Sequence, residues 1–260
     1  MIPFLIFMLG LAFGSFAGVL VTRSIKDESI IKPNSYCPKC NTPLKIWHNI
    51  PLLSFILLKG KCGICNKKIG VFYPLVEFLG GIIFLSVYFK VGLSFHFLFV
   101  SLTFIILLSM SFVDLKTKHA PDSLNLIAFC MAMLSAFFGS NSFFETPITP
   151  FLFLIRFQDA FVMSGFLLFL KFIVEFFLKK EALGEADILV VGTLGAMLGL
   201  KFAMIALFFA ALFSILPSFF IKQQTGDEQM PFIPFLALGA FVVYLFGQNI
   251  DHFLKVMYAI

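Results

Sequence analysis

Long apolar runs separated by short polar loops are the dominant pattern of this chain. About 20 mostly apolar residues are enough for a helix to cross the hydrocarbon core of a bilayer. The pattern therefore predicts an all-α integral membrane protein with about eight transmembrane helices. The predicted spans are residues 2–22, 71–89, 93–113, 121–138, 159–178, 188–200, 202–221 and 232–248.

The composition agrees with lipid as the surrounding solvent. Of the 260 residues, 60% are hydrophobic and 13% are charged, and the mean hydropathy is +1.01. A water-soluble domain of this size cannot bury so much apolar surface. A disordered chain has the opposite balance of hydrophobicity and charge. The composition therefore excludes both classes.

Basic residues divide the loops into two alternating groups. Fourteen lysines and arginines lie in one group, which consists of loops 23–70, 114–120, 179–187 and 222–231. The loops of the other group contain only four, which are Lys90, Arg156, Lys201 and Lys255. Lysine and arginine concentrate on the cytoplasmic side of membrane proteins. The first group is therefore predicted to be cytoplasmic, with both chain termini outside, and its basic residues indicate a membrane topology rather than a nucleic-acid partner.

Four of the five cysteines form two C-x-x-C pairs in loop 23–70, namely Cys37 with Cys40 and Cys62 with Cys65. Two such turns can bring four thiolates to one tetrahedral zinc ion, which is then structural because no coordination position stays open. Disulfide bonds are one alternative, but the reducing cytoplasm disfavours them. Redox chemistry is a weaker alternative, because a single C-x-x-C motif would suffice for it. His48, between the pairs, is either a substitute ligand or a surface residue. Cys130, in the fourth span, is predicted to be a small core residue.

Three aspartates lie at the predicted cytoplasmic border of the membrane. Asp114 ends the third span, Asp122 begins the fourth and Asp187 begins the sixth. Carboxylates at such positions are costly and usually functional, and two that share one proton can act as base and acid on a peptide bond. Asp122 and Asp187 also stand where a carboxylate caps a helix N-terminus. Capping is therefore the alternative for these two, whereas a role in the reaction is favoured for Asp114.

Two further features concern contacts between helices. Glu77, one to two turns inside the second span, is predicted either to position groups in the site or to pair with a lysine of the loop. Glycines recur at intervals of four residues, a spacing that lets helix backbones approach closely. They are Gly10, Gly14 and Gly18 in the first span and Gly195 and Gly199 in the sixth.

In their order and spacing, these motifs make the chain resemble the bacterial type IV prepilin peptidases, the leader peptidase/N-methyltransferases of pilus and type II secretion systems. The resemblance covers nearly the whole chain. It rests on Gly14-Ser15-Phe16 with Arg23, Cys37-Pro38-Lys39-Cys40-Asn41, residues 49–54, Cys62-Gly63-Ile64-Cys65, Tyr73-Pro74-Leu75-Val76-Glu77, Val113-Asp114-Leu115, Pro121-Asp122, residues 184–187 and residues 230–235. One departure is Ala186, where the family has the second glycine of a G-x-G-D motif that begins here at Gly184.

The resemblance implies a multi-pass aspartic endopeptidase of the bacterial inner membrane. Such enzymes remove the basic leader of prepilins or pseudopilins at the cytoplasmic face, and many then methylate the new N-terminus with S-adenosylmethionine. The catalytic pair matches Asp114 and Asp187, with Asp122, Glu77 and Gly184 as supporting residues. The four cysteines match the zinc loop. The implied domains are a first helix (1–22), a cytoplasmic zinc-binding loop (23–70) and a helical membrane peptidase domain (71–260).

Three other functions remain as alternatives. The chain can be a peptidase without methyltransferase activity. It can be a transporter with intramembrane carboxylates, although transporters place such groups near the midplane and these aspartates are at the border. It can also be a zinc-dependent assembly factor without catalysis, which would keep working after an Asp187→Asn substitution.

Overall fold

The computed structural model describes residues 1–30, 35–37, 39–44, 47, 50–139, 152–179, 184–225 and 230–258. Over these residues the protein is helical, apart from isolated β-bridges between Tyr36 and Pro43 and between Lys61 and Lys68. The helices are α1 (Ile2–Lys26), α2 (Leu53–Leu57), α3 (Phe72–Val91), α4 (Phe95–Thr117), α5 (Asp122–Phe137), α6 (Leu152–Leu178), α7 (Glu185–Leu198), α8 (Leu200–Thr225) and α9 (Ile233–Tyr258). The chain divides into two compact units, Met1–Phe89 and Lys90–Ile260.

Close helix packing in the first unit depends on glycine. A Cβ atom added to Gly10 would lie 2.6 Å from the carbonyl oxygen of Gly80, and one added to Gly14 would lie 2.7 Å from the Cα of Glu77. At Gly18 the nearest atom, in the ring of Tyr73, would be 3.4 Å away, which is an ordinary contact. The glycine repeat of the first span therefore marks an interhelical contact, as predicted, and the closest approach is at its first two members.

Helix α7 is the core of the second unit. It contacts α5, α6, α8 and α9, and every residue from Val190 to Leu198 is buried. A Cβ atom on Gly195 would lie 2.7 Å from the carbonyl oxygen of Asp159 in α6, so this glycine also allows two helices to approach. A helix that is apolar on all sides is typical of a buried position inside a bundle.

The prediction of eight transmembrane helices is only partly confirmed. Each predicted span coincides with a helix, but only six helices of the described chain are long and apolar enough to cross a membrane: α1, α3, α4, α6, α8 and α9. The other two, α5 and α7, have 16 and 14 residues. At about 1.5 Å per residue α7 is about 21 Å long, less than the roughly 30 Å of a hydrocarbon core.

Helix α6 begins earlier than predicted, at Leu152 rather than at residue 159. Arg156 suggested a loop, but it is buried with Nη1 3.4 Å from Oδ2 of Asp159. A Cβ atom on Gly199 would overlap the guanidinium group, so this glycine makes room for it. Gly199 has φ +79° and links α7 to α8. A charge that is paired inside the unit therefore does not end the helix.

Candidate active site and metal centre

Asp114 lies in the last turn of α4 and is 6% exposed. Its Oδ2 accepts a hydrogen bond of 3.2 Å from the backbone N–H of Ile233, the first residue of α9. The N-terminus of a helix carries a partial positive charge. Helix α9 therefore stabilises a carboxylate that the C-terminal end of α4 disfavours. This gives residues 230–235 a local role that the sequence did not indicate.

Asp187 is the third residue of α7 and is 9% exposed. Its Oδ2 accepts a hydrogen bond of 3.1 Å from the backbone N–H of Gly184, so the carboxylate caps its own helix. A Cβ atom on Gly184 would lie 3.2 Å from this oxygen, so a larger residue would press on the carboxylate. Ala186 lies within the first turn of α7 and has no positive φ, so alanine leaves the turn intact.

Both carboxylates belong to the second unit, and the structure brings them together. Helices α4 and α7 each contact α5 and α9. Asp114 lies near enough to Asp187 for their charges to interact, and Lys171 of α6 acts on Asp187 with the opposite sign. Two buried carboxyl groups, each oriented by a backbone N–H, thus lie within reach of each other's charge, one near the end of α4 and the other near the start of α7.

Asp122 and Glu77 have different surroundings from this pair. Asp122 is exposed in the first turn of α5, whose N-cap residue is Pro121, and it lines a cavity between α5, α6 and α7. Glu77, in the first unit, accepts a hydrogen bond of 2.8 Å at Oε2 from the backbone N–H of Leu52, whose φ is +55°. Among the described residues, Glu77 therefore binds the backbone of the loop, and none of the lysines described there pairs with it.

Asn125 is a polar residue of this region that the sequence analysis missed. It lies one turn after Asp122 and is 2% exposed, and neither Nδ2 nor Oδ1 has a hydrogen-bond partner among the described residues. Leaving a buried polar group unpaired costs about 1–3 kcal/mol. The available signal was an amide side chain in an otherwise apolar stretch of α5, close to the predicted border.

The four paired cysteines form one cluster. Their sulfur atoms all lie within 4.8 Å of one another, and none is in a disulfide. The two pairs have the same local structure. The carbonyl of the first cysteine accepts the N–H of an asparagine four residues later, from Asn41 to Cys37 at 2.8 Å and from Asn66 to Cys62 at 3.0 Å. Both asparagines have positive φ, near +53°, so each turn is closed by a residue that tolerates the left-handed region.

Hydrogen bonds within the cluster favour the thiolate, the form that binds metals, at two of the four cysteines. Hydrogen bonds from the side chain and backbone of Thr42 lower the pKa of Cys40 to about 6. Backbone N–H groups of Cys65 and Ile64 lower the pKa of Cys62. The backbone of Lys67 lowers the pKa of Cys65, but burial and the neighbouring thiols outweigh this effect and raise that pKa to about 11. Thiols this close compete for ionisation, and a divalent cation removes that conflict.

The sequence predictions for His48 and Cys130 have different outcomes. His48 lies outside the described residues. Cys130 was expected to be a small core residue, and this is wrong, because it is exposed on α5. Its face of α5 points away from the buried side that carries Leu124 and Ala128. Apolar surroundings in the sequence do not separate a lipid-facing position from a core position.

The fold and the site define a multi-pass membrane protein with a buried carboxylate pair and a four-cysteine cluster. Residues 8–91 match the Bacterial Peptidase A24 N-terminal domain, and residues 101–219 match the Type IV leader peptidase family. The chain belongs to the type IV leader peptidase family.

Relatives over most of the chain agree with this assignment. A prepilin leader peptidase/N-methyltransferase of Neisseria gonorrhoeae is 27% identical, over 94% of this chain and 90% of the relative. A type 4 prepilin-like proteins leader peptide-processing enzyme of Escherichia coli O78:H11 is 31% identical, over 91% of each chain. A prepilin leader peptidase/N-methyltransferase of Legionella pneumophila is 29% identical, over 85% and 75%. No solved structure gives a significant match.

Proposed function

We propose that this protein is an aspartic endopeptidase that removes the leader peptide from type IV prepilin-like proteins. The observation that carries the proposal is the pair of buried carboxyl groups, Asp114 and Asp187, in a chain that belongs to the leader peptidase family. The names of the relatives supply the substrate class. A transporter or a scaffold gives no reason for two carboxyl groups fixed beside each other at helix ends.

The chemistry follows from two acids that share a proton. Repulsion between like charges in a buried site favours a state in which one carboxyl is ionised and the other is protonated. The ionised group takes a proton from a water molecule, which attacks the carbonyl carbon of the peptide bond. The protonated group donates a hydrogen bond to the carbonyl oxygen and then supplies a proton for the departing amine. Backbone N–H groups hold Oδ2 of each aspartate and so fix the orientation of both carboxyl groups.

The location of the reaction follows from the distribution of charge. We place loops 23–70, 114–120, 179–187 and 222–231 in the cytoplasm because 14 basic residues lie in them, an orientation in which the shorter helices α5 and α7 also cross the bilayer, and we place the protein in the bacterial inner membrane. Asp114 and Asp187 then stand at the cytoplasmic border. A prepilin whose apolar segment is inserted in the bilayer presents the bond behind its basic leader at that depth. Asp122 and the catalytic acids attract the leader.

A structural zinc ion fits the cysteine cluster. With zinc–sulfur bonds of about 2.3 Å, a tetrahedral site requires sulfur atoms roughly 3.8 Å apart, and the four sulfur atoms lie within 4.8 Å. Cys37, Cys40, Cys62 and Cys65 would fill all four positions, so the ion would stabilise the loop and would not bind substrate. The two matching C-x-x-C-Asn turns are the structural support for this assignment.

S-adenosylmethionine is the second proposed cofactor, and a cavity of about 210 Å³ in the first unit is its candidate site. When bound, it supplies a methyl group from a sulfonium centre to an amine. The lining provides carboxylates for its cationic groups, cations for its carboxylate and aromatic rings for adenine: Glu28, Glu77, Arg23, Lys26, Tyr36 and Tyr73. Cys37 and Cys62 line the same cavity, so the metal site would shape one of its walls.

The product of the reaction tests this function. Purified protein is incubated with a full-length prepilin, with and without S-adenosylmethionine, and the products are weighed by mass spectrometry. We expect loss of the leader in both samples and a gain of one methyl group only with the cofactor. Cleavage without methylation would support the peptidase activity and contradict the methyltransferase activity. An uncut prepilin, with a relative from the same family cutting it in parallel, would overturn the proposal.

A further inference from the structure

A cavity of about 330 Å³ lies between α5, α6 and α7 in the unit that contains both catalytic aspartates. Its walls are mainly apolar, and three of the apolar side chains, Leu126, Phe161 and Leu189, are about half exposed or more. The cavity therefore opens sideways, toward the surface that we assign to lipid. It begins two residues after Asp187 along α7 and includes Asp122 at the start of α5.

In the polar lining, the buried side chain of Asn125 has no hydrogen-bond partner among the residues that the structure describes. Ser164 donates a hydrogen bond of 3.2 Å from Oγ to the carbonyl oxygen of Ile188. Asn125 is 2% exposed, and within the described part of the chain neither polar atom of its amide has a hydrogen-bond partner. Asp122, three residues earlier, marks the border end of the cavity, so Asn125 lies about 4.5 Å further in along the helix axis.

The chemistry of a carboxamide defines the ligand that satisfies both of its atoms. An anion would use only the N–H₂ group, and a cation would use only the oxygen. An acyl chain would use neither. A peptide group in an extended chain offers a C=O and an N–H, which together match the donor and the acceptor of an asparagine. The apolar walls accommodate a hydrophobic side chain next to that peptide group.

We propose that Asn125 binds a main-chain peptide group of the prepilin on the membrane side of the cleaved bond, and that the cavity holds the apolar side chain beside it. This inference rests on the proposed peptidase function. An extended chain advances about 3.3 Å per residue, so a substrate bound at Asp187 reaches Asn125 within its first few residues. Asn125 is a substrate-binding residue, and it fixes the register of the chain at the aspartate pair.

Steady-state kinetics and binding test the role of Asn125. Asn125→Leu keeps the size of the side chain and removes both polar atoms. We expect KM for prepilin to rise about tenfold, as for a lost buried hydrogen bond, with kcat within about twofold. In an Asp187→Asn background, which does not cut, the Kd should rise by the same factor. Ser135→Ala is the matched control, because it removes a buried hydroxyl from the same helix outside the cavity.

A substrate with one backbone ester distinguishes this role from a structural one. Replacing a single amide N–H by oxygen, in turn at each of the first four residues after the cleaved bond, should weaken binding to the wild-type protein at one position. The Asn125→Leu variant should bind that ester and the natural chain equally well. Asn125→Ala provides the same comparison if the leucine variant does not insert.

Two results would overturn the inference. One is an unchanged KM and Kd in both Asn125 variants. If the variants with unchanged KM and Kd also lose co-purifying phospholipid, the cavity is a lipid site. The other is an ester effect that persists without Asn125. Either result in a protein that still cuts prepilin would remove this inference alone, whereas a protein that never cuts prepilin would remove the peptidase function itself.

Discussion

At the scale of single residues, the carboxyl groups of the site depend on backbone N–H groups. Asp187 binds the N–H of Gly184, three residues before it, whereas Asp114 binds the N–H of Ile233, 119 residues further along the chain. The sequence identifies the acids because carboxylates beside apolar runs are unusual. It cannot identify their partners, because every residue except proline has an N–H and only the fold selects one.

Gly184→Ala tests how closely this geometry is set. The backbone at Gly184, with φ −70° and ψ 148°, accepts alanine, so the only new effect is a Cβ atom 3.2 Å from Oδ2 of Asp187. We expect kcat for prepilin cleavage to fall about tenfold, since small displacements of a reacting group are costly, while KM changes little. Ala186→Gly is the control and should leave kcat unchanged. Equal kcat values for wild type and Gly184→Ala would contradict this account of the glycine.

At the scale of helices, hydropathy locates the eight longer helices of the described chain, but not the short α2, and it does not describe their surroundings. Helix α7 and the first half of α6 show why. The interior of α7 is apolar because it is surrounded by protein, and α6 continues past Arg156 because Asp159 pairs with it. Core and lipid select the same side chains, so one apolar run cannot tell a span from a buried core helix. The sequence alone therefore cannot predict which apolar helices are buried inside the protein.

The contact between α1 and α3 allows a test with two similar substitutions. Gly14→Ala and Gly18→Ala make the same chemical change in one helix, but the added atom meets backbone at 2.7–2.8 Å in the first and a ring at 3.4 Å in the second. Overpacking costs about 1–3 kcal/mol. We therefore expect the Tm in detergent to fall by several degrees for Gly14→Ala and to stay level or rise for Gly18→Ala. Similar shifts for both would show that the contact is looser than the structure indicates.

The cysteine loop is the second element with a direct test. Elemental analysis should find about one zinc ion per chain. Cys62→Ser should lose it, because this buried ligand closes the site, whereas Cys130→Ser should keep it. Limited proteolysis should cut loop 23–70 faster in the first variant only, with prepilin still cleaved. A full zinc content in Cys62→Ser, or a disulfide among the four cysteines in the wild-type protein, would refute the metal assignment.

At the scale of the whole molecule, the charge pattern and the hydropathy pattern together predict one orientation of the protein in the membrane. Both kinds of pattern are visible in the sequence because the bilayer acts on composition rather than on specific contacts. The positions of the aspartates at helix ends follow from the same pattern. Their approach to each other does not, since it depends on how α4 and α7 pack against α5 and α9.

Reporter fusions test that orientation. A reporter enzyme that is active only in the cytoplasm should be active when fused after Lys59 and inactive when fused after Gly92, which lies in the short loop after α3. The physical reason is the nine basic residues of loop 23–70, which resist transfer across the membrane. The reverse pattern would show that the protein has the opposite orientation, with the aspartates on the side of the membrane away from a cytoplasmic leader.

Cleavage of a prepilin by aspartate variants tests the central claim most directly. With equal amounts of inserted protein and equal zinc content, Asp114→Asn and Asp187→Asn should each lower kcat by about a thousandfold or more, because each removes one member of an acid–base pair. Asp122→Asn should lower cleavage less, and Asp251→Asn, which changes an ion pair at the far end of α9, should match the wild type. Cleavage at a near wild-type rate by either of the first two variants would contradict the account.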